Sequence, residues 1–201
     1  MSRTVIAFAG PDLVAKGDLP TVARALKEAD LRGLPRAPLV FDAVTSQPVE
    51  LDLRGNVATV VARARAQEEA EAAAEQDGDG PRGPGRPRLG VIGREVTLLP
   101  RHWEWLGTQP GGASAALRRL VDQARIANAD KDRRRRAQES AYRFMIATLG
   151  DQPDLEEAMR AFYADDAARF TALSRRWPKD LRDHARRLAK LALTPHADAD
   201  A

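Results

Sequence analysis

Between Asp77 and Gly90 the chain places five glycines and three prolines in fourteen residues, and no regular element can run through such a tract. Proline withholds a backbone donor and fixes φ, while glycine loses the most conformational freedom when it is ordered. The tract therefore reads as a linker. It divides the chain into a leading and a trailing part, each of which must build its own elements. There is apolar material for both, since 43% of the 201 residues are hydrophobic, close to the share usual in globular domains.

The residue inventory removes much familiar chemistry. There is no cysteine, and the three histidines, His102, His184 and His196, are widely separated. Disulfides, thiolate nucleophiles and a His/Cys metal cluster are thereby excluded, and no catalytic residue, metal or cofactor is expected. No stretch approaches the ~20 uncharged apolar residues of a membrane span, and the run Val5 to Ala9 is too short and too weakly flanked for a signal peptide. A cytoplasmic protein with no membrane partner is expected.

The small net charge of +3 conceals a strong segregation. Residues 56–80 carry two basic and six acidic side chains, whereas residues 81–136 carry thirteen basic and five acidic ones. The first 55 residues are balanced and the last 65 nearly so. One concentrated basic stretch is the electrostatic footprint of a polyanion binder, although solvated arginine-rich helices share it.

Residues 1–55 are predicted to form a small α+β domain of order ββαββ. Thr4 to Phe8 and Leu13 to Lys16 make a first hairpin across Gly10-Pro11. Asp18 or Thr21 caps a helix with Val22, Ala25, Leu26 and Ala29 on one face. Leu39 to Phe41 and Val49, Leu51 and Leu53 make a second hairpin around Thr45 to Pro48. Residues 56–90 then read as a helix that loses its apolar face after Val61, followed by the flexible linker.

Residues 91–128 carry the candidate site. Val91 to Leu99 is a short β-prone run ended by Pro100, which suits the first turn of a helix over Arg101 to Gln109. Pro110-Gly111-Gly112 stops that helix. Ser114 is placed to cap a second, striped by Leu117, Leu120, Val121 and Ala124. The pattern, with Val-Thr-Leu-Leu-Pro before helix one and Gly-Ala-Ser-Ala-Ala-Leu-Arg-Arg-Leu-Val opening helix two, resembles the ribbon-helix-helix repressors of the MetJ and Arc type. That resemblance implies a homodimer whose paired strands, Arg94 to Leu99, enter the major groove of DNA. It also implies that the backbone amides of Ala113, Ser114 and Ala115 hold a phosphate, with Arg118 and Arg119 one turn further on reaching the backbone or forming a solvated face.

The strand admits two registers. With Val96 and Leu98 in the core, Glu95, Thr97 and Leu99 face outward, and Glu95 can accept only from cytosine N4. In the other, Val96 and Leu98 meet the groove and read apolar features. Trp103 is expected in the core, Trp105 on an exposed platform or in the dimer seam, and His102 on a helix surface. Just upstream, Arg82 and Gly85-Arg86-Pro87-Arg88 resemble the core of AT-hook peptides, which implies that Arg86 and Arg88 lie in the A·T minor groove; a plain soluble linker is the alternative.

Residues 129–193 read as a self-contained helical domain, and residues 194–201 as a disordered tail. Arg133 to Arg136 opens a helix through Ala141, Phe144 and Met145. Three amphipathic helices follow over Pro153 to Tyr163, Asp165 to Arg176 and Pro178 to Leu193, with Leu155, Met159, Phe162, Phe170, Leu173, Trp177, Leu181 and Leu188 as their core. Phe162, Tyr163, Phe170 and Trp177 form an aromatic supply large enough to leave rings exposed for a protein or ligand partner. Glu156-Glu157 and Asp165-Asp166 are adjacent in helices and diverge by about 100°, so they serve helix starts better than catalysis.

Across its length the chain resembles an uncharacterised bacterial domain-of-unknown-function family, on Arg94 to Leu106, Gln109 to Arg119, Trp177 and Asp180 to Arg182. The function expected from these features is a dimeric DNA-binding protein, a bacterial transcriptional regulator. The alternative is a non-enzymatic protein-interaction scaffold that uses the ribbon only to dimerise.

Overall fold

The structure is a computed structural model and describes residues 3–34, 36–76 and 94–193. The described residues form two compact units, one drawn from both ends of the chain (3–72 with 133–193), the other from 73–76 and 94–132.

In the first unit, strand β1 (Val5–Ala9) turns at Gly10, whose φ of +60° suits glycine, into β2 (Asp12–Gly17). Helix α1 (Leu19–Leu31) follows. Of its two possible caps it uses Asp18, whose carboxylate accepts from the Thr21 amide at 2.8 Å. Strand β3 (Pro38–Asp42) returns antiparallel to the other side of β1, giving the order β2-β1-β3.

The expected fourth strand does not form. Among the described residues its pairing with β3 is the single bridge Phe41–Pro48, flanked by bonds from the Asp42 amide to the Gln47 carbonyl and from the Val49 amide to the Val40 carbonyl, each at 2.8 Å. Pro48 has no amide to extend a ladder. Further on, the Asp52 carboxylate accepts from the backbone amide and side chain of Arg54 at 3.0 and 2.9 Å, fixing a local turn instead of a strand. The order is therefore ββαβ, and Leu51 and Leu53 lie half-buried against the core rather than in the sheet.

All five residues of β1 are buried, because both faces of the strand are covered. Successive strand side chains point to opposite faces. Val5 and Ala7 join Val22 and Leu26 of α1, Val40, and Val60 and Ala64 of helix α2 (Val57–Gln76). Ile6 and Phe8 join Phe41 on the other face and pack into a helical layer. That layer consists of α5 (Ala129–Leu149), α6 (Leu155–Tyr163), α7 (Ala167–Leu173), a 3₁₀ turn (Ser174–Arg176) and α8 (Lys179–Leu193). Helices α3 (Pro100–Gly107) and α4 (Gly112–Ala127) belong to the second unit. The helical layer supplies Phe144, Met145, Leu149, Phe162, Phe170, Trp177, Leu181 and Leu188 to one continuous cluster.

The C-terminal helices are thus not self-contained: Ile6, Phe8, Phe41 and Ala43 belong to their core. Polar contacts reinforce the union at the turn after β3. Its three successive carbonyls are capped from the helical layer, Ala43 by Arg187 at 3.0 Å, Val44 by the Ser140 hydroxyl at 2.8 Å, and Thr45 by Arg143. Ser46, fully buried with φ +53°, donates its hydroxyl to Ser140 Oγ at 2.9 Å, since the Ser140 proton is already committed to Val44.

Candidate nucleic-acid interface

The second unit contains the residues that the sequence reading singles out. Arg94 to Leu99 forms neither a helix nor a paired strand among the described residues, so the expected ribbon strand is not assigned there. Glu95 and Thr97 are exposed, Val96 is 54% and Leu99 49% accessible, and Leu98 is half-buried. Arg94 is also exposed. Arg82, Arg86 and Arg88 lie outside the described residues.

Helix α3 (Pro100–Gly107) begins with its proline where the backbone needs no donor, and it stops two residues before the expected end. The Thr108 hydroxyl and amide both return to the Trp105 carbonyl, at 2.7 and 3.1 Å, and close the last turn. Helix α4 (Gly112–Ala127) starts earlier than expected. Gly111, left-handed at φ +80°, occupies the cap, where a Cβ would sit 3.1 Å from that of Ala115. Ser114 is therefore not the cap but an exposed residue of the first turn.

With Gly111 as the cap, the amides of Ala113 and Ser114 lie in the turn where a helix has no internal acceptor for them, whereas Ala115 is the first residue placed to donate to the cap carbonyl. Ala113 and Ala115 are half-buried, and Arg118 and Arg119 are exposed. Among the described residues Arg94, Arg118 and Arg119 have no carboxylate partner; the ion pair of α4 is Arg125 with Asp122 at 3.7 Å.

The packing of this unit is thin. Leu106 and Ala116 are its buried side chains, where α3 meets α4. Trp103, expected in the core, is 45% accessible, and Trp105 50%. Leu120, Val121 and Ile126 are 41%, 54% and 79% accessible. Two short helices enclose too little volume to cover these side chains.

In the first unit the arginine run is partly neutralised, Arg134 pairing with Asp165 and Arg135 with Glu139. The acidic pairs serve structure. Asp166 caps α7 by accepting from the Arg169 amide at 2.8 Å, and Glu157 pairs with Arg160 and Arg169. Among the described residues no three His, Asp or Glu side chains converge as a metal site, and no helix is long and apolar enough to cross a membrane. Of the four aromatic rings, Phe162, Phe170 and Trp177 are buried and Tyr163 is 51% accessible. An open groove beside Tyr163 is lined by Ile146, Met159, Glu156 and Arg160.

Sequence reasoning passed over one cluster. His184 is buried against Phe144, with centroids 4.5 Å apart, and Phe8 at 5.6 Å. Arg187 Nη2 lies 3.4 and 3.5 Å from its two ring nitrogens. Burial, with the charges of Arg187 and Lys16, pushes the imidazole down to about 3, so the ring is neutral. Its placement one turn from Asp180 and Arg187 on an otherwise polar strip gave no sign of burial.

These features define a helix-rich α+β protein with a small three-stranded antiparallel sheet. The chain belongs to the family described as "Uncharacterized protein conserved in bacteria (DUF2239)", whose model matches residues 4–189. No curated protein and no solved structure matches it.

Proposed function

We propose that the protein is a dimeric DNA-binding protein acting as a transcriptional regulator in the bacterial cytoplasm. In this reading two chains pair Arg94 to Leu99 into an antiparallel ribbon. The observation that carries it is the unfinished packing of the second unit: a segment that is neither helix nor paired strand beside a two-helix module, with Val96, Leu99, Trp103, Leu120 and Val121 exposed. A unit below about 40 residues normally needs oligomerisation to bury a sufficient core, and a second copy brings both a strand and an apolar face. DNA is the proposed partner because Arg118 and Arg119 follow the first-turn amides of α4 by about one turn and, like Arg94, are exposed without a carboxylate partner among the described residues. Arg86 and Arg88 extend the contact into the minor groove.

The test joins sedimentation with mobility shift on genomic fragments at several salt concentrations. A dimer at micromolar concentration is expected, with log affinity falling against log salt at a slope of about −5 or steeper if six or more phosphates are neutralised. A monomer, or no DNA binding at low salt, contradicts the reading. The scaffold alternative is favoured by the open groove of α5 and α6 beside Tyr163; it predicts a dimer that ignores DNA.

A further inference from the structure

We propose that the corner formed by the 3₁₀ turn and α8 is a second anion site, binding a phosphate group between Arg175, Arg182 and Arg186. It lies in the first unit, apart from the residues assigned to the ribbon.

Between Ser174 and Arg187 the chain places six basic and two acidic side chains, a concentration hidden by the near-neutral balance of the last third. Arg186 is fixed by two neutral acceptors: Nε donates to Ser174 Oγ at 2.9 Å and Nη2 to the Thr171 carbonyl at 2.6 Å. Ser174 is itself fully buried, and its hydroxyl is anchored on the same Thr171 carbonyl at 3.2 Å. The guanidinium is therefore oriented in advance, with its remaining donors available and its rotamer entropy already spent.

Arg182 lies one turn earlier on the face of Arg186, a like-charge i,i+4 arrangement that disfavours the helix. Its partner is the adjacent, half-exposed Asp183 at 2.9 Å, the carboxylate nearest the corner. Arg175, exposed beside Ser174, has no hydrogen bond or ion pair among the described residues. Desolvation and the charges of Arg182 and Arg175 lower the affinity of Arg186 for its proton, against the opposing effect of Asp183. Three cations that act on one another with one carboxylate, Asp183, among them leave the corner with a net positive charge, as an oxyanion cradle requires. Guanidinium donors match phosphate in geometry as well as charge.

The test uses the full chain, with inorganic phosphate titrated against sodium chloride at matched ionic strength while the Arg186 Nε–Hε NMR signal is followed. The wild type should show a saturable phosphate-specific shift. Arg175→Ala, which breaks no internal contact and should keep the wild-type urea midpoint, should bind about tenfold more weakly, the loss of one charge-assisted hydrogen bond. A response no different from chloride, or an Arg175→Ala titration that superimposes on the wild type, overturns the site. A short DNA duplex identifies the source of the phosphate. Parallel weakening of duplex and phosphate binding by Arg175→Ala assigns it to a nucleic-acid backbone, and weakening of inorganic phosphate alone assigns it to a small phosphate ligand. Thr97→Pro, which disrupts the proposed ribbon, should leave the phosphate titration unchanged, so the two proposals fail separately.

Discussion

His184 couples the core to pH. An unfolded chain protonates this imidazole near 6.5, whereas in the fold it stays neutral down to about 3, because Phe8 and Phe144 desolvate it and Arg187 and Lys16 add positive charge. With the folded value depressed, the unfolded state binds the extra proton below 6.5. Stability is complete above that pH and declines as pH falls toward the folded value. Between about pH 6.5 and pH 5 the wild type should lose roughly 2 kcal/mol more than His184→Phe, at about 1.4 kcal/mol per pH unit. Urea unfolding of both proteins at the two pH values measures the difference; equal losses would contradict it. Ser140 supplies a second residue-scale test. Ser140→Ala strands the buried Ser46 hydroxyl and the Val44 carbonyl, and should destabilise by about 1–3 kcal/mol in the same assay. Ser46→Ala, which leaves the Ser140–Val44 bond in place, should cost less.

At the scale of elements, starts and stops follow local chemistry closely. Asp18 caps α1 and Asp166 caps α7, each accepting from the amide three residues on. Asp18→Ala should lower stability by about 1 kcal/mol, read as a lower thermal midpoint. Helix α4 departs from local expectation because two successive glycines with positive φ, Gly111 and Gly112, take over the entry that Ser114 was expected to make. Serine is a strong cap in isolation, but a helix begins where the backbone first adopts its geometry. The exposed stripe of α4 carries its own prediction under the proposed dimer. Val121→Glu, 54% accessible in the single chain, should shift sedimentation toward monomer while leaving the sheet-containing unit folded, as reported by its tryptophan, Trp177. A dimer of unchanged affinity would place the interface elsewhere.

For the whole molecule, the decisive fact is that β1 is covered on both faces. Neither terminal part therefore has a complete core. Residues 1–72 alone would expose Ile6, Phe8 and Phe41, and residues 133–193 alone would lose the partners of Phe144 and His184. Each fragment should give weak circular dichroism and no cooperative melt, and mixing the two should restore a single transition. A fragment that melts cooperatively alone would refute this. The signal was present in the sequence, since Val5-Ile6-Ala7-Phe8-Ala9 does not alternate as a strand with one wet face does. Its second cover lay more than a hundred residues away, beyond any local pattern. The sequence by itself determined the helix periods, a capping pair at Asp18 and Thr21 before α1, the helix–turn–helix order of the second unit and most of the C-terminal core residues. Those depend on spacing, propensity and turn chemistry within a few residues. Only the tertiary structure decided that residues from both sides of the linker share one core, that His184 is buried and neutral, and that Arg186 is seated on Ser174 and the Thr171 carbonyl, because burial and electrostatics arise from residues that the fold, not the chain order, makes neighbours.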